Sequence, residues 1–314
     1  MTADRGSTMS QTSEVSKTSE VCTKPTISDN ESTKEDADLI IIERRSGWQW
    51  VQWRDLWRHR ELLYFLVWRD VKVRYKQTVL GIAWAVLQPL AMMLVLSLFF
   101  GRYAEMPSAR IPHPLFLFAG LLPWFFFANA LGSAGQSIIG NQNLITKVYF
   151  PRLLIPMGAV AICLVDLAVG FVMLFLMMAG YMMAGSSVSP GWAITLLPLI
   201  LVGLVTASIG VGTWLSALTV AYRDFRYVIP FMIQLWMFAT PSVYMQTSSI
   251  LHPRWSWVLP LNPAHGLIAN FRAAVLGREL DPYSLAVSFG VSLLLLIFGC
   301  LYFQRVERTF ADVI

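Results

Sequence analysis

The chain has 314 residues, of which 56% are hydrophobic and only 14% charged, against roughly 25% charged residues in ordinary soluble domains. So little charge cannot cover a soluble protein of this size, and the charges cluster between long apolar runs, so the composition excludes a soluble globular class and indicates an all-α integral membrane protein. The net charge of +5 does not call for a nucleic-acid partner, because the basic residues lie mainly at the ends of apolar runs, where membrane topology explains them.

The first segment, residues 1–38, is rich in Ser, Thr, Glu and Asp and has almost no aromatic or large aliphatic side chains. It cannot bury enough apolar surface to offset its chain entropy, so we expect a disordered cytoplasmic tail. A regulatory or partner-binding motif is the alternative to a plain solvated extension. No secretory signal is expected, because the first apolar run begins only at Leu62.

The next segment, residues 39–76, is predicted to be cytoplasmic and to contain an amphipathic interfacial helix. Apolar residues at helical spacing mark one side of this helix, namely Leu63, Leu66, Val67 and Val71. Basic residues dominate its last turns, namely Arg69, Lys72, Arg74 and Lys76. A helix of this kind is expected to lie in the headgroup plane of an anionic leaflet.

Longer apolar runs follow within residues 77–314 and predict six transmembrane helices, at about 79–101, 115–140, 153–184, 193–221, 228–246 and 285–303. Most are long enough for ~30 Å of hydrocarbon at ~1.5 Å per residue. The fifth is short, and we expect it to continue past Pro241 with a kink. With six spans most Lys and Arg residues fall on one side, so both termini are predicted to be cytoplasmic.

Residues 246–284 are apolar and rich in Trp, but Pro and Gly interrupt them repeatedly. This pattern predicts re-entrant helices before the last span, because broken backbone is tolerated at membrane depth only inside protein or beside a water-filled cavity. Asn262 before Pro263 has the chemistry of an N-cap followed by a first-turn proline. A short helix is therefore expected from Pro263 to about Leu276.

The sequence shows no enzymatic constellation. It has no GxxxxGK[ST] phosphate loop, so any ATP must be handled by a partner, and no HExxH or CxxC spacing suggests a metal site. We interpret Cys22, Cys163 and Cys300 as packing residues. Asp166 is the only formal charge inside a predicted span; because no intramembrane cation is obvious beside it, a structural hydrogen-bonding role is favoured over transport chemistry.

Several short motifs follow one another in a specific order and spacing. They are Trp68-Arg69-Asp70, Arg74-Tyr75-Lys76, Thr78-Val79-Leu80-Gly81, Trp84, Gln88-Pro89, the run from Asn143 to Arg152, Leu261-Asn262-Pro263 and Phe271-Arg272. In these motifs, and over nearly all of residues 58–308, the chain resembles the permease subunits of type-2 ABC exporters for O-antigen, capsule and teichoic-acid polysaccharides. The long Ser/Thr-rich tail departs from the pattern of that family.

The resemblance implies a homodimer in a bacterial inner membrane, with a channel at the dimer interface and an undecaprenyl-linked glycan as substrate. Two cytoplasmic ATPase subunits would bind ATP and Mg²⁺, so the permease itself would need no cofactor. Residues 58–76 would form a gate helix, Asn141–Pro156 a coupling helix for the ATPase, and residues 246–284 the re-entrant helices at the outer mouth. The coupling residues would be Asn143, Lys147, Tyr149, Phe150, Pro151 and Arg152.

Two sets of side chains are candidates for contact with such a substrate. The gate-helix cations Arg69, Lys72, Arg74 and Lys76 are hypothesised to meet the pyrophosphate, with plain topology and anionic-lipid binding as the alternative. Some aromatic residues would line the channel and let sugar rings slide, with interfacial belts and helix packing as the alternative. The channel candidates are Trp84, Phe99, Trp124, Phe127 and Trp236.

Other functions fit the sequence less well. A drug or small-lipid exporter of the same superfamily is the nearest alternative. A membrane-embedded glycosyl- or acyltransferase would need catalytic acids or a His/Asp pair, and none is apparent. A passive membrane scaffold would explain the spans but would give no reason for the coupling-like segment.

Overall fold

Within the residues that the computed structural model describes, 53–76, 81–100, 111–147, 150–186, 191–243 and 258–307, the regular elements are all helical. The α-helices are α1 (Trp53–Arg58), α2 (Arg60–Lys76), α3 (Ala83–Phe100), α4 (His113–Gly140), α5 (Gln142–Lys147), α6 (Leu154–Met183), α7 (Leu197–Ala221), α8 (Phe225–Phe238), α9 (Pro263–Val275) and α10 (Pro282–Glu307). The predicted tail, residues 1–38, lies outside the described residues.

Four helical stretches are long and apolar enough to cross a bilayer, namely His113–Gly140, Leu154–Met183, Trp192–Ala221 and Pro282–Glu307. The third of these consists of a 3-10 turn, Trp192–Leu196, that leads directly into α7. These stretches closely match the second, third, fourth and sixth predicted spans. The first and fifth predicted spans correspond to the shorter apolar helices α3 and α8. The described part of the chain thus contains four candidate spans and two shorter apolar helices.

The helix of the fifth predicted span ends before Pro241 instead of continuing past it with a kink. α8 ends at Phe238, the Thr240 amide bonds back to the Met237 carbonyl, and Pro241–Val243 form a 3-10 turn. Proline has no N–H to donate and disfavours a helical conformation in the residue before it. Both effects disfavour an unbroken helix through Pro241, and at this position the helix ends.

α4 forms the centre of the helix packing. It contacts α3, α6, α7, α8 and α9, and its residues from Leu115 to Trp124 are all buried. A helix that is apolar on every side is expected to be enclosed by others, and this one is. The buried thiols of Cys163 and Cys300 are unbridged, which confirms them as packing residues; Cys22 lies outside the described residues.

The backbones of α7 and α10 come into contact at two glycines. A Cβ atom built on Gly210 would lie 2.5 Å from the Leu296 amide nitrogen, and one built on Gly299 would collide with the Gly210 carbonyl oxygen. Small residues at such crossings let helices approach closely in lipid, where packing drives their association. This crossing therefore requires glycine on both helices.

Asn262 is the N-cap of α9, as predicted, and it also binds the end of α8. Its Oδ1 accepts hydrogen bonds from the Ala264 amide at 3.2 Å and from Trp236 Nε1 at 3.0 Å. Its Nδ2 donates to Thr240 Oγ1 at 2.8 Å. One amide side chain thus fixes the start of α9 against the helix that precedes it, and α9 itself ends at Val275, one residue before the predicted end.

Candidate functional site

The predicted gate helix, α2, packs against α6 through its aliphatic side. Leu66 is buried, and a Cβ atom built on Gly158 of α6 would lie 3.6 Å from Leu63 Cδ1. The opposite side exposes aromatic rings, including Trp68, which lies 5.3 Å from Lys72 Nζ in a cation–π contact. The predicted aliphatic residues therefore do share a face, and the outward mixture of rings and cations suits a headgroup region.

Asp166 is paired with two residues of α2. Arg74 Nη1 lies 3.0 Å from Asp166 Oδ2, and the Tyr75 hydroxyl donates a hydrogen bond to Asp166 Oδ1. The expectation that this carboxylate has no cation beside it is therefore wrong. The cation comes from α2, which is not one of the predicted spans. Only the packing of α2 on α6 brings Arg74 next to Asp166.

Both α2 partners of Asp166 remain protonated donors. Burial and the hydrogen bond to Asp166 raise the pKa of the Tyr75 hydroxyl above its usual range. Burial lowers the pKa of the Arg74 guanidinium, but the Asp166 carboxylate opposes this effect and the pKa is raised overall. The Asp166 side chain is only 12% exposed whereas that of Arg74 is 41% exposed, so Arg74 remains within reach of a ligand.

A cavity of about 260 Å³ opens beside this ion pair, between α2, α3, α4 and α6. Its polar lining consists of Arg74, Tyr75, Gln88, Asn129 and Asp166. Its aromatic lining consists of Trp84, Phe125 and Phe126. The cavity thus combines ionised groups, neutral amides and flat rings at the end of the gate helix.

A second polar contact of α2 reaches the predicted coupling segment. Arg69 Nη2 donates to Asn141 Oδ1 at 3.0 Å, and Asn141 Nδ2 donates to the Ser137 carbonyl oxygen at 2.9 Å. Asn141 is the C-cap of α4 and directly precedes α5. Arg69 also forms an exposed ion pair with Asp70 at 2.7 Å. The gate helix is therefore linked to the first residue of the coupling segment.

The far end of the coupling segment is attached to α10. Arg152 Nη1 donates to the Glu307 carbonyl oxygen at 3.1 Å, and its Nε lies 3.9 Å from the Glu307 carboxylate. Phe150 is buried in an apolar cluster that includes Phe303. Pro151 is half-buried, whereas Asn143 and Lys147 of α5 are exposed. Tyr149 lies outside the described residues.

The candidate channel aromatics occupy two environments. Trp84 and Phe99 of α3 are 55% and 71% exposed. Trp124 and Phe127 of α4 are buried, and Trp236 packs edge-on against Phe127 with ring centres 5.3 Å apart. Only the two α3 rings are exposed to a passing ligand in this conformation, and the channel role of all five stays a prediction.

The sequence analysis assigned no individual role to Tyr75, Gln88, Asn129 or Asn141, although Tyr75 and Gln88 stand in the motifs quoted above and Asn141 begins the predicted coupling segment. Asn129 carried a signal, because an amide side chain in a long apolar span is expensive unless it has a partner or a function. The contacts of Tyr75 with Asp166 and of Asn141 with Arg69 could not be predicted, since each joins elements that are distant in the chain.

Known proteins are similar to this chain over most of its length. The family model described as ABC-2 type transporter matches residues 61–276. The O-antigen export system permease protein RfbA of Myxococcus xanthus is 30% identical over 263 residues, which are 83% of this chain and 98% of the relative. A protein of the same name from Klebsiella pneumoniae is 28% identical over 261 residues, which are 81% and 95%. The polysialic acid transport protein KpsM of Escherichia coli is 27% identical over 212 residues, which are 66% and 78%.

Proposed function

Because this chain belongs to the ABC-2 type transporter family, we propose that it is the permease subunit of an exporter that moves a lipid-linked polysaccharide of O-antigen or capsule type across the bacterial inner membrane. The observation that supports a polysaccharide substrate is the match to an O-antigen export permease over 98% of the length of that relative. The matched region, residues 61–276, includes the gate helix, Asp166 and the capped helix α9. A separate ATPase subunit hydrolyses ATP and holds Mg²⁺, and this chain needs no cofactor of its own.

The proposed topology has six crossings with both termini in the cytoplasm. α3 and α8 supply the two crossings beyond the four long helical stretches. α9 supports the re-entrant assignment for residues 246–284, because its 13 residues extend only ~20 Å, too short for the bilayer core. Its residues are nevertheless almost all buried, as short helices at membrane depth must be.

The proposed assembly is a homodimer with the channel between its two copies. The exposed rings of Trp84 and Phe99 support α3 as a channel-lining helix, because flat faces offer sugar rings contact without tight polar traps. Two ATPase subunits bind from the cytoplasm, one to the coupling segment of each copy. Motion of α5 then reaches α2 through the Arg69–Asn141 bond and α10 through the Arg152–Glu307 contacts.

Exposed cations in the last turns of α2 are expected to be required for export. In a strain that lacks the gene, the wild-type chain should restore surface polysaccharide, whereas the double variant Lys72→Gln/Lys76→Gln should reduce it about tenfold or more. The reason is that both ammonium groups are solvent-exposed and available to a pyrophosphate. The measurement is the amount of surface glycan, together with lipid-linked glycan retained in the cell.

The matched control carries Gln at Arg58 and Arg60, near the opposite end of the gate helix, and should export normally. Normal export by the Lys72/Lys76 variant would contradict the pyrophosphate role and would leave these cations with a role only in membrane topology and lipid binding. If loss of the gene leaves surface glycan intact but makes cells sensitive to drugs, the chain is a drug exporter of the same superfamily instead.

Charge reversal at Lys147 is expected to uncouple the permease from its ATPase. Lys147 is exposed at the end of α5, so Lys147→Glu should leave the fold intact and should lower both transport and substrate-stimulated ATP hydrolysis about tenfold. The measurement is ATPase activity and transport by the purified complex. Arg226→Glu, an exposed reversal at the start of α8, is the control, and full coupled transport in the Lys147 variant would contradict the role of α5.

A further inference from the structure

The cavity at the end of the gate helix has the size of a site for one small ring. Its volume of about 260 Å³ lies below the roughly 300–1,000 Å³ of sites for drug-sized ligands. It is therefore suited to a single pyranose and not to an oligosaccharide. Its walls come from four helices that pack against one another in pairs, including α3 on α4 and α2 on α6, so the site is part of the packed fold.

The cavity contains polar groups that lack partners. Within the described part of the chain, neither the Gln88 nor the Asn129 side-chain amide makes a hydrogen bond, although both line the cavity. Pro89 has no N–H to donate to the carbonyl of Ala85, which also lines it. Gln88 is exposed and Asn129 is half-buried, so both amides are accessible from the cavity and suit a ligand that both donates and accepts hydrogen bonds. Sugar hydroxyls do both.

Aromatic rings complete the chemistry of the site. Trp84 lies at the cavity with 55% of its surface exposed, and Phe125 and Phe126 line the wall formed by α4. A pyranose presents an apolar C–H face as well as hydroxyls, and an indole ring offers a flat apolar surface to that face. Neutral amides beside flat rings therefore distinguish this cavity from a pure phosphate site.

The position of the cavity identifies which sugar would bind there. Arg74 and Tyr75 line it, and the exposed Lys76 follows them directly in the last turn of α2. A pyrophosphate held by those cations would place the ring attached to it next to the cavity. We propose that this cavity binds the first sugar of the lipid-linked glycan, with Gln88 and Asn129 bonding its hydroxyls and Trp84 covering its apolar face.

This inference rests on the proposed function, and it makes the cavity the element that binds the proximal sugar. The Arg74–Asp166 pair would then form one wall of the site by holding α2 against α6. Longer or shorter glycans with the same first sugar would be accepted equally, because only one ring enters the cavity.

Binding of two defined lipids to the full chain in lipid nanodiscs tests the inference. The probes are undecaprenyl pyrophosphate alone and undecaprenyl pyrophosphate that carries one glucopyranose. The wild-type chain should bind the sugar-bearing lipid roughly tenfold more tightly, because the sugar adds hydrogen bonds to Gln88 and Asn129 that the pyrophosphate alone does not make. Gln88→Leu and Asn129→Leu should each reduce that preference severalfold and should leave the affinity for undecaprenyl pyrophosphate unchanged.

Gln234→Leu removes an exposed amide from α8, outside the cavity, and should retain the full preference. Gln88 is itself exposed, so its variant decides the question even if Asn129→Leu fails to fold. Equal binding of the two lipids by the wild-type chain would overturn the sugar site and leave the proposed function standing. A preference that survives Gln88→Leu would remove the site from this cavity. Failure of both lipids to bind would overturn the pyrophosphate substrate, and the sugar site with it.

Discussion

Replacement of Gly299 by leucine is expected to prevent the chain from accumulating as a folded membrane protein. At this position α10 meets the backbone of α7, and even a Cβ atom would collide with the Gly210 carbonyl oxygen and lie 2.8 Å from Thr213 Oγ1. Backbone atoms cannot move aside as a side chain can, so the helices must separate. Ordinary overpacking costs roughly 1–3 kcal/mol, and a backbone collision should exceed that range. Against a total stability of about 5–15 kcal/mol this is a large loss.

The measurement is the amount of chain in the membrane and its thermal midpoint in detergent. Gly290→Leu is the matched control on the same helix, because nothing lies within 4 Å of a Cβ atom built there. We expect that variant to change the free energy of unfolding by less than about 0.5 kcal/mol. Gly210→Leu should be as damaging as Gly299→Leu. A Gly299→Leu chain that accumulates and melts like the wild type would show that α7 and α10 do not touch in this way.

Replacement of Asp166 by leucine is expected to loosen the gate helix and to reduce export at least tenfold. The substitution removes the carboxylate that binds Arg74 and accepts from Tyr75, and these contacts attach the last turn of α2 to α6. Exposed pairs contribute up to about 1 kcal/mol, and breaking a fully buried pair costs roughly 3–5 kcal/mol. With Asp166 shielded and Arg74 partly exposed, we expect about 1–3 kcal/mol.

The measurements are surface glycan and hydrogen exchange of the backbone amides of α2. Exchange should quicken toward the end of α2 that carries Arg74, whereas the aliphatic contact of Leu63 with α6 should still protect the beginning. Asp224→Leu, which removes an exposed carboxylate just before α8, is the control and should alter neither quantity. The double variant Arg74→Asp/Asp166→Arg should recover part of the lost protection of α2 from exchange. Unchanged export and exchange in Asp166→Leu would show that the pair does not hold the gate helix.

Short stretches of sequence were sufficient to predict those features that depend only on neighbouring residues, such as the bounds of long apolar helices and the start of a capped helix. The bounds of α4, α6, α7 and α10 follow from runs of apolar residues that no soluble surface tolerates. The start of α9 follows from Asn262 and Pro263, because an N-cap needs only its own next turn. The end of α8 was mispredicted through a local choice, since a proline favours a bend and a stop on similar grounds and the chain takes the stop.

The sequence by itself determined the membrane class, four long apolar helices, the cationic helix α2 and the capped helix α9, because apolar runs, proline and capping residues act within a few turns. Only the tertiary structure decided that Asp166 is paired with Arg74, that Arg69 reaches Asn141 and that Arg152 reaches Glu307. It also decided that Trp124 and Phe127 are buried while Trp84 and Phe99 are exposed. Each of these facts depends on which helices pack side by side. The residue pattern of one helix does not show which residues of another helix lie next to it.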